Sequence, residues 1–157
     1  MAVTLAVLGA ALTGGPAQAA GITGINVTDS RACLDNDTNN ALTLQMWTCT
    51  GGPEQQWVYD AGGPTTIINV HTSWYITAPS GLGGGPVAMR PCVFNAPNQQ
   101  WTMTFMTTPV GVPFAQFWLI ENPATGLCLW TDSIRKGTVP AMAGCDPLGS
   151  YNEWWSL

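Results

Sequence analysis

Three successive stretches of the sequence carry the same four landmarks at nearly the same spacing. In the first stretch, an isoleucine is followed by a cysteine 8 residues later, a second cysteine 16 residues after that, and a tryptophan 8 residues further on. The other two stretches repeat this order with spacings of 8, 17 and 9, although a tyrosine replaces the first cysteine of the second stretch. Chance does not keep four landmarks aligned over three stretches, so the chain contains an internal repeat of roughly 40 residues. The landmarks are Ile25, Cys33, Cys49 and Trp57, then Ile67, Tyr75, Cys92 and Trp101, then Ile120, Cys128, Cys145 and Trp154.

Short strands separated by turns are the local structure that the sequence favours. Alternating or apolar runs such as 42–47 and 117–120 are bounded by turns rich in Gly, Pro and Asn, and no stretch keeps an apolar period of 3.6. A chain of 157 residues is long enough for one domain. We therefore predict an all-β fold with threefold pseudosymmetry, closed on itself so that few strand edges are exposed. The predicted repeats are about residues 22–61, 64–107 and 115–157.

The first 19 residues have the features of a secretory signal peptide. They carry no charged side chain, an apolar stretch runs from Val3 to Leu12, and Ala17-Gln18-Ala19 is a small-x-small cleavage pattern. The apolar stretch is about ten residues long, against the roughly 20 that a membrane-spanning helix needs. We predict cleavage after Ala19, no membrane insertion, and a secreted, extracellular mature chain of residues 20–157.

Charge and composition exclude several classes of partner. Only 8% of the residues are charged and the net charge is −5, so the chain has no basic field that would attract nucleic acid. The five cysteines contain no C-x-x-C pair and the chain has one histidine, so we expect neither a metal site nor a cofactor.

The sequence lacks a recognisable set of catalytic residues. His71 has no accompanying G-x-S-x-G nucleophile motif. A glycosidase needs two carboxylates that face one bond, but Asp35 and Asp37 would point to opposite faces if their segment is a strand. We therefore predict that the protein is not an enzyme.

The repeated motifs resemble those of the ricin B-type lectin family. The first repeat has CLD, QMWTC and EQQW, the second has NQQW, and the third has CLW, GC and NEWW. The resemblance covers almost all of the mature chain and implies a β-trefoil that binds sugars. It also implies that Trp57, Trp101 and Trp154 fill the common core and are not part of the site.

The resemblance implies two disulfides, Cys33–Cys49 and Cys128–Cys145, each inside one repeat. A secreted protein meets the oxidising conditions that such bonds require. Because Tyr75 stands where the second repeat would have its first cysteine, Cys92 is left without a partner. We predict that Cys92 is a buried, inert thiol.

The resemblance also implies a sugar site in the first repeat. Its residues would supply an aromatic face for the apolar side of a sugar ring and polar groups for the hydroxyls. Glu54 stands where the family has an asparagine, and a carboxylate only accepts hydrogen bonds whereas an amide also donates them. The alternative for Asp35 is a turn residue that bonds to its own backbone. The implied site residues are Asp35, Gln45, Trp47, Glu54 and Gln55.

The other two repeats have lost parts of this set. The second lacks both the carboxylate and the aromatic platform. The third lacks the polar groups, so we predict that its former pocket is filled; the alternative is that its aromatic residues Trp130 and Tyr151 stack on a ligand. The equivalent residues are Thr77, Ala88, Arg90, Asn98 and Gln99 in the second repeat, and Trp130, Ala141, Ala143, Tyr151 and Asn152 in the third.

The sequence thus predicts a monomeric carbohydrate-binding protein with one main site, in the first repeat. The resemblance implies galactose-type sugars or a plant polysaccharide as the glycan ligand. The alternative is a β-trefoil protease inhibitor or protein-binding scaffold without sugar binding, because a fold does not dictate a function.

Overall fold

The computed structural model describes residues 21–27, 30–60, 63–81, 83–108, 116–146 and 155–157. The predicted signal peptide, Tyr151, Asn152 and Trp154 lie outside these ranges. Within them the chain forms thirteen strands and two 3₁₀ turns, and it has no helix long and apolar enough to cross a membrane. The strands are β1 (Gly21–Gly24), β2 (Asn26–Val27), β3 (Ala32–Asn36), β4 (Leu44–Thr48), β5 (Gln56–Tyr59), β6 (Ile68–Asn69), β7 (Tyr75–Thr77), β8 (Ala88–Arg90), β9 (Thr102–Thr107), β10 (Gln116–Asn122), β11 (Leu127–Trp130), β12 (Ala141–Gly144) and β13 (Trp155–Ser156), and the 3₁₀ turns are Pro53–Gln55 and Pro97–Gln99.

Each repeat contributes one antiparallel hairpin with the same register. The pairs are β3 with β4, β7 with β8, and β11 with β12. The first cysteine position lies opposite the residue two before the second cysteine position in all three hairpins. These cross-strand partners are Cys33 and Trp47, Tyr75 and Arg90, and Cys128 and Ala143.

The three hairpins are joined to one another in a ring around a pseudo-threefold axis. The backbone N–H groups of three equivalent methionines, all buried, donate across the boundaries between repeats. The bonds join Met89 N to Leu42 O, Met142 N to Gly85 O, and Met46 N to Thr138 O, at 3.0, 2.9 and 2.7 Å. Since each hairpin bonds to both of the others, the predicted closed, threefold β-trefoil is confirmed.

Three buried tryptophans occupy equivalent places in the core, and each donates its indole N–H to a backbone carbonyl of its own repeat. Burial satisfies both the ring and the polar N–H in this way. The bonds join Trp57 to Leu34 O, Trp101 to Ile76 O, and Trp155 to Leu129 O, at 3.2, 3.0 and 3.0 Å. The third core tryptophan is therefore Trp155, and the predicted register, which used Trp154, was wrong by one residue. Trp155 follows Cys145 by 10 residues and not by 9.

The cysteines form both predicted disulfides. Cys33 bonds to Cys49 and Cys128 bonds to Cys145, with Cα atoms 5.0 Å apart in each pair. Both bonds tie the two strands of a hairpin together. A closed loop of this length contributes on the order of 3 kcal/mol in the chain-entropy model.

Cys92 is free, as predicted, but it is exposed, so the prediction of a buried thiol was wrong. Its position follows from β8, which ends at Arg90 and leads into an exposed loop. Tyr75 takes the place of the missing cysteine on the neighbouring strand. A hydrogen bond with the Cys92 thiol, together with burial, raises the pKa of the Tyr75 hydroxyl.

We expect Cys92 to react in the folded protein. A thiol reagent should titrate about one equivalent without denaturant, because one cysteine of five remains after two bonds form, and Cys92→Ser should remove the signal. Reaction only after unfolding would contradict the exposed position.

Candidate functional site

The Asp35 carboxylate is the centre of the candidate site. Asp35 lies inside β3, opposite Gln45 of β4, and is only 4% exposed. Its Oδ1 accepts a hydrogen bond from Gln45 Nε2 at 3.0 Å, and its Oδ2 accepts one from Gln55 Nε2 at 2.9 Å. Because these bonds go to side chains and Asp35 lies within a strand, it is not the turn residue of the alternative interpretation.

Gln55 is held in one orientation by the loop before it. Its Oε1 accepts hydrogen bonds from the backbone N–H groups of Thr50 and Gly51, at 2.7 and 3.2 Å. Its Nε2 donates to Thr48 O at 3.0 Å as well as to Asp35. Rotating this amide would place two donors against its NH₂ group, so Gln55 presents a donor to Asp35 permanently.

The 3₁₀ turn that carries Glu54 and Gln55 is fixed by the next repeat. Asn69, fully buried in β6, donates from Nδ2 to Glu54 O at 2.9 Å. Asn122, the equivalent residue, donates to Pro97 O, also at 2.9 Å, one residue earlier in the 3₁₀ turn of the second repeat. A buried asparagine of the following repeat thus holds each of these turns in place, including the turn that positions Gln55.

The bonding of Asp35 leaves part of its acceptor capacity open. An ionised carboxylate has about four lone-pair sites, and the two amides occupy one on each oxygen. A buried carboxylate requires such partners, because an isolated buried charge is costly. The arrangement is an acceptor held in place that can receive further O–H donors.

Four of the five predicted site residues line one cleft of about 250 Å³. Asp35, Gln45, Trp47 and Glu54 face it, whereas Gln55 lies behind Asp35 and is 2% exposed. Gln55 is therefore a positioning residue for the carboxylate. Further lining residues that the sequence did not indicate are Asp37, Thr38, Asn39 and Thr50.

Asp37 lines the same cleft as Asp35. The two carboxylates were expected to point to opposite faces only if one strand held both, and β3 ends at Asn36, so the alternation of a strand does not extend to Asp37. Asp37 instead begins a turn, in which its Oδ1 accepts from Asn39 N at 2.8 Å.

Glu54 lies half-buried at the edge of the cleft. Its Oε1 accepts a hydrogen bond from Thr50 Oγ1 at 3.2 Å. The carboxylate folds over Gly52, where a Cβ would collide with it. With Asp35 and Asp37, Glu54 gives the cleft three carboxyl groups.

A basic residue of the third repeat reaches the aromatic residue of the site. Lys136 Nζ lies 5.1 Å from the centre of the Trp47 ring, in the geometry of a cation–π contact. The bond from Gly137 N to Met46 O, at 2.9 Å, holds the Lys136 loop against β4. Nothing in the local sequence indicates this contact, because it joins different repeats.

The equivalent positions of the other repeats differ as the sequence predicts. In the second repeat, residues at the equivalent positions line a cleft without a carboxylate or an aromatic ring. In the third repeat, Trp130 is half-buried and pairs with Ala141. The prediction of a filled pocket there depends partly on Tyr151 and Asn152, outside the described residues.

The single histidine of the chain lies outside the cleft. His71 lies in an exposed turn, where its backbone N–H donates to Asn69 Oδ1 at 3.1 Å. The described residues contain no cluster of three or more potential metal ligands.

Solved structures with the same fold are similar to this chain over most of its length. The Macrolepiota procera ricin B-like lectin in complex with lactose has 13% identity and a TM-score of 0.70, and the match covers 87% of this chain and 94% of that one. The designed threefold symmetric protein ThreeFoil has 18% identity and a TM-score of 0.69, with 85% and 95% covered. Hemolytic lectin CEL-III has 23% identity and a TM-score of 0.65, and the match covers 85% of this chain but only 31% of that protein.

These identities show the fold alone. A comparison of the sequence with curated proteins gives no match. Residues 21–101, which are more than half of the chain, match the family described as ricin-type beta-trefoil lectin domain. The chain therefore belongs to the ricin-type β-trefoil lectin domain family.

Proposed function

We propose that the protein is a secreted, monomeric, non-enzymatic lectin whose main site is the first-repeat cleft. Membership of a lectin-domain family supports carbohydrate binding in general. The observation that carries the proposal is the Asp35 carboxylate, which is held by two amides and retains open lone pairs beside Trp47. Sugar recognition requires this combination of a fixed acceptor and an aromatic surface.

The cleft favours a neutral sugar that donates hydrogen bonds. Three carboxyl groups line it, at Asp35, Asp37 and Glu54, so it suits hydroxyl groups and repels anionic ligands. Its volume of about 250 Å³ is below the range of about 300–1,000 Å³ typical of pockets for drug-sized ligands. It therefore fits one ring of a galactose-type sugar or of a plant polysaccharide.

The bonding of Asp35 supports its role as a fixed acceptor. Both of its oxygens accept hydrogen bonds from amide donors, those of Gln45 and Gln55, so the carboxylate is held in one orientation. A carboxylate held in this way can orient a hydroxyl group of a sugar.

A glycan array probed with residues 20–157 tests the proposal. We expect saturable binding to neutral glycans, and no release of product when those glycans are incubated with the protein. An empty array together with inhibition of a protease would favour the inhibitor alternative.

Removal of residues 1–19 is expected when the chain is secreted. The Ala17-Gln18-Ala19 pattern places the cleavage after Ala19. Mass spectrometry of the secreted protein should give a chain that starts at Ala20. A secreted chain that keeps Met1 would contradict both the signal peptide and the route of export.

We expect one sugar site per chain. Calorimetry should give a stoichiometry near one, and Thr77→Ala and Trp130→Ala should keep the affinity within about twofold because they lie outside the cleft. A monomer with one site lacks the gain from multivalency that cross-linking cells requires, so it should bind glycans without agglutinating cells. A stoichiometry of two or three would show that other repeats also bind.

A further inference from the structure

The second repeat has a cleft at the position equivalent to the first-repeat site. Thr77 and Ala88 are cross-strand partners in its hairpin, as Asp35 and Gln45 are in the first. The cleft has a volume of about 580 Å³, against about 250 Å³ in the first repeat. The fold has therefore kept a larger opening here, although the residues that suit a neutral sugar are gone.

The polar floor of this cleft is already occupied by bonds within the protein. Gln99 Nε2 donates to Thr77 Oγ1 at 3.0 Å and to Pro91 O at 2.9 Å, and its Oε1 accepts from Val93 N at 2.9 Å. The Thr77 hydroxyl donates its hydrogen to Tyr75 O at 3.0 Å. Sugar hydroxyls would find no open carboxylate here, and a buried hydroxyl without a partner is costly.

The walls are mainly apolar and carry one charge. Side chains of proline, alanine and valine make up most of the lining, and Arg90 is its only ionisable residue. Arg90 takes the position of Trp47 in the hairpin register, since both lie opposite the first cysteine position. Arg90 is exposed, and its Nη1 donates a hydrogen bond to Met89 O at 2.8 Å. Within the described residues, no carboxylate pairs with Arg90, so its guanidinium can receive an anion.

We propose that the second-repeat cleft binds a small carboxylate whose body is apolar, such as an aromatic or aliphatic acid. The planar guanidinium matches a carboxylate through two parallel hydrogen bonds. The apolar walls would cover a body that has no hydroxyls to satisfy. The lone positive charge in an otherwise uncharged cleft gives the specificity for an anion, the opposite of the first-repeat cleft. This site does not depend on the proposed sugar site.

Benzoate is a suitable probe, with benzamide as its neutral isostere and methyl glucuronide as an acid with a hydroxylated body. Backbone amide NMR shifts of Ala78, Val93 and Ala96 report occupancy of the cleft. We expect benzoate to move these signals saturably, and benzamide to bind at least about tenfold more weakly, a difference of about 1.4 kcal/mol. Arg90→Gln should weaken benzoate binding by a similar factor. Arg90→Lys should restore part of the affinity, because lysine returns the positive charge but not the two parallel N–H donors of the guanidinium.

Asp35→Asn separates this proposal from the sugar site, because it should leave benzoate binding unchanged. Three results would overturn the inference: no saturable shifts up to the solubility limit of benzoate, equal binding by Arg90→Gln, or equal binding of benzamide. Tighter binding of methyl glucuronide than of benzoate would also overturn it, since the cleft would then be a site for acidic sugars. An unchanged amide spectrum away from the cleft would show that Arg90→Gln is folded.

Discussion

Replacing Asp35 by asparagine is expected to abolish sugar binding while the fold stays intact. The substitution keeps the shape but replaces one carboxylate oxygen by an NH₂ group. Gln55 cannot rotate, because its Oε1 accepts from Thr50 N and Gly51 N. The new oxygen must therefore face Gln55, and the new NH₂ group must face Gln45.

Gln45 can adapt because its described side-chain bond is the one to Asp35. A rotated Gln45 amide would accept from the new NH₂ group, and the buried network would remain satisfied. The site nevertheless loses its charge and one of the two oxygens that accept from a ligand. Asp35→Asn thus separates recognition from folding, which a truncation to alanine does not.

The decrease in sugar affinity should be too large for binding at a weak site to remain measurable. A hydrogen bond to a charged group contributes roughly 1.5–3 kcal/mol, which is about ten- to a hundredfold in affinity. One sugar ring offers little contact area to offset the entropy of binding, so the starting affinity is low. Calorimetry should then detect no binding by Asp35→Asn, while its thermal unfolding stays close to that of the wild type.

Asp132→Asn is the matched control, because Asp132 is an exposed carboxyl group of the third repeat that lies outside the cleft. It removes the same charge from the chain and should keep the affinity within about twofold. If Asp35→Asn binds normally while Trp130→Ala does not, the sugar site lies in the third repeat.

The resemblance to the family implied which residues form the candidate site, and the periodicity of the strands explains why three of them lie together. Asp35 and Gln45 are partners in a hairpin whose register is set by Cys33 and its disulfide with Cys49. Residues at alternate positions of such a hairpin share a face, so the motif spacing brought Asp35, Gln45 and Trp47 to one cleft. The same repeat also marked the buried isoleucines Ile25, Ile67 and Ile120, whereas its third tryptophan landmark was one residue before the core residue Trp155.

The features that the sequence did not predict depend on where strands end and on contacts between repeats. Asp37 joined the cleft because β3 ends one residue before it, and the boundaries of strands are poorly encoded locally. Cys92 is exposed because its side chain lies beyond β8. The Lys136 contact arises from the ring of hairpins around the pseudo-threefold axis, which no single repeat encodes.

The core position of Trp155 gives the second large expected effect. Trp155→Ala should lower the free energy of unfolding by about 3–5 kcal/mol, the usual cost of removing a fully buried Trp or Phe side chain. The cost has two sources, the cavity left by the ring and the loss of the bond to Leu129 O. Because Trp57 and Trp101 make the same bond and are equally buried, alanine at either should cost a similar amount.

Urea denaturation measures the change in the free energy of unfolding. Trp47→Ala is the control, because it should lose sugar binding and keep most of its stability. Trp47 is half-buried and lines the cleft, so its replacement should abolish sugar binding while costing much less stability than the loss of a core tryptophan. A Trp155→Ala protein as stable as the wild type would show that the third repeat does not use Trp155 in the core. Such a result would favour the register in which Trp154 is the landmark. Equal decreases in the free energy of unfolding for alanine at Trp57, Trp101 and Trp155 would instead establish that all three repeats close the core through the same indole-to-carbonyl bond.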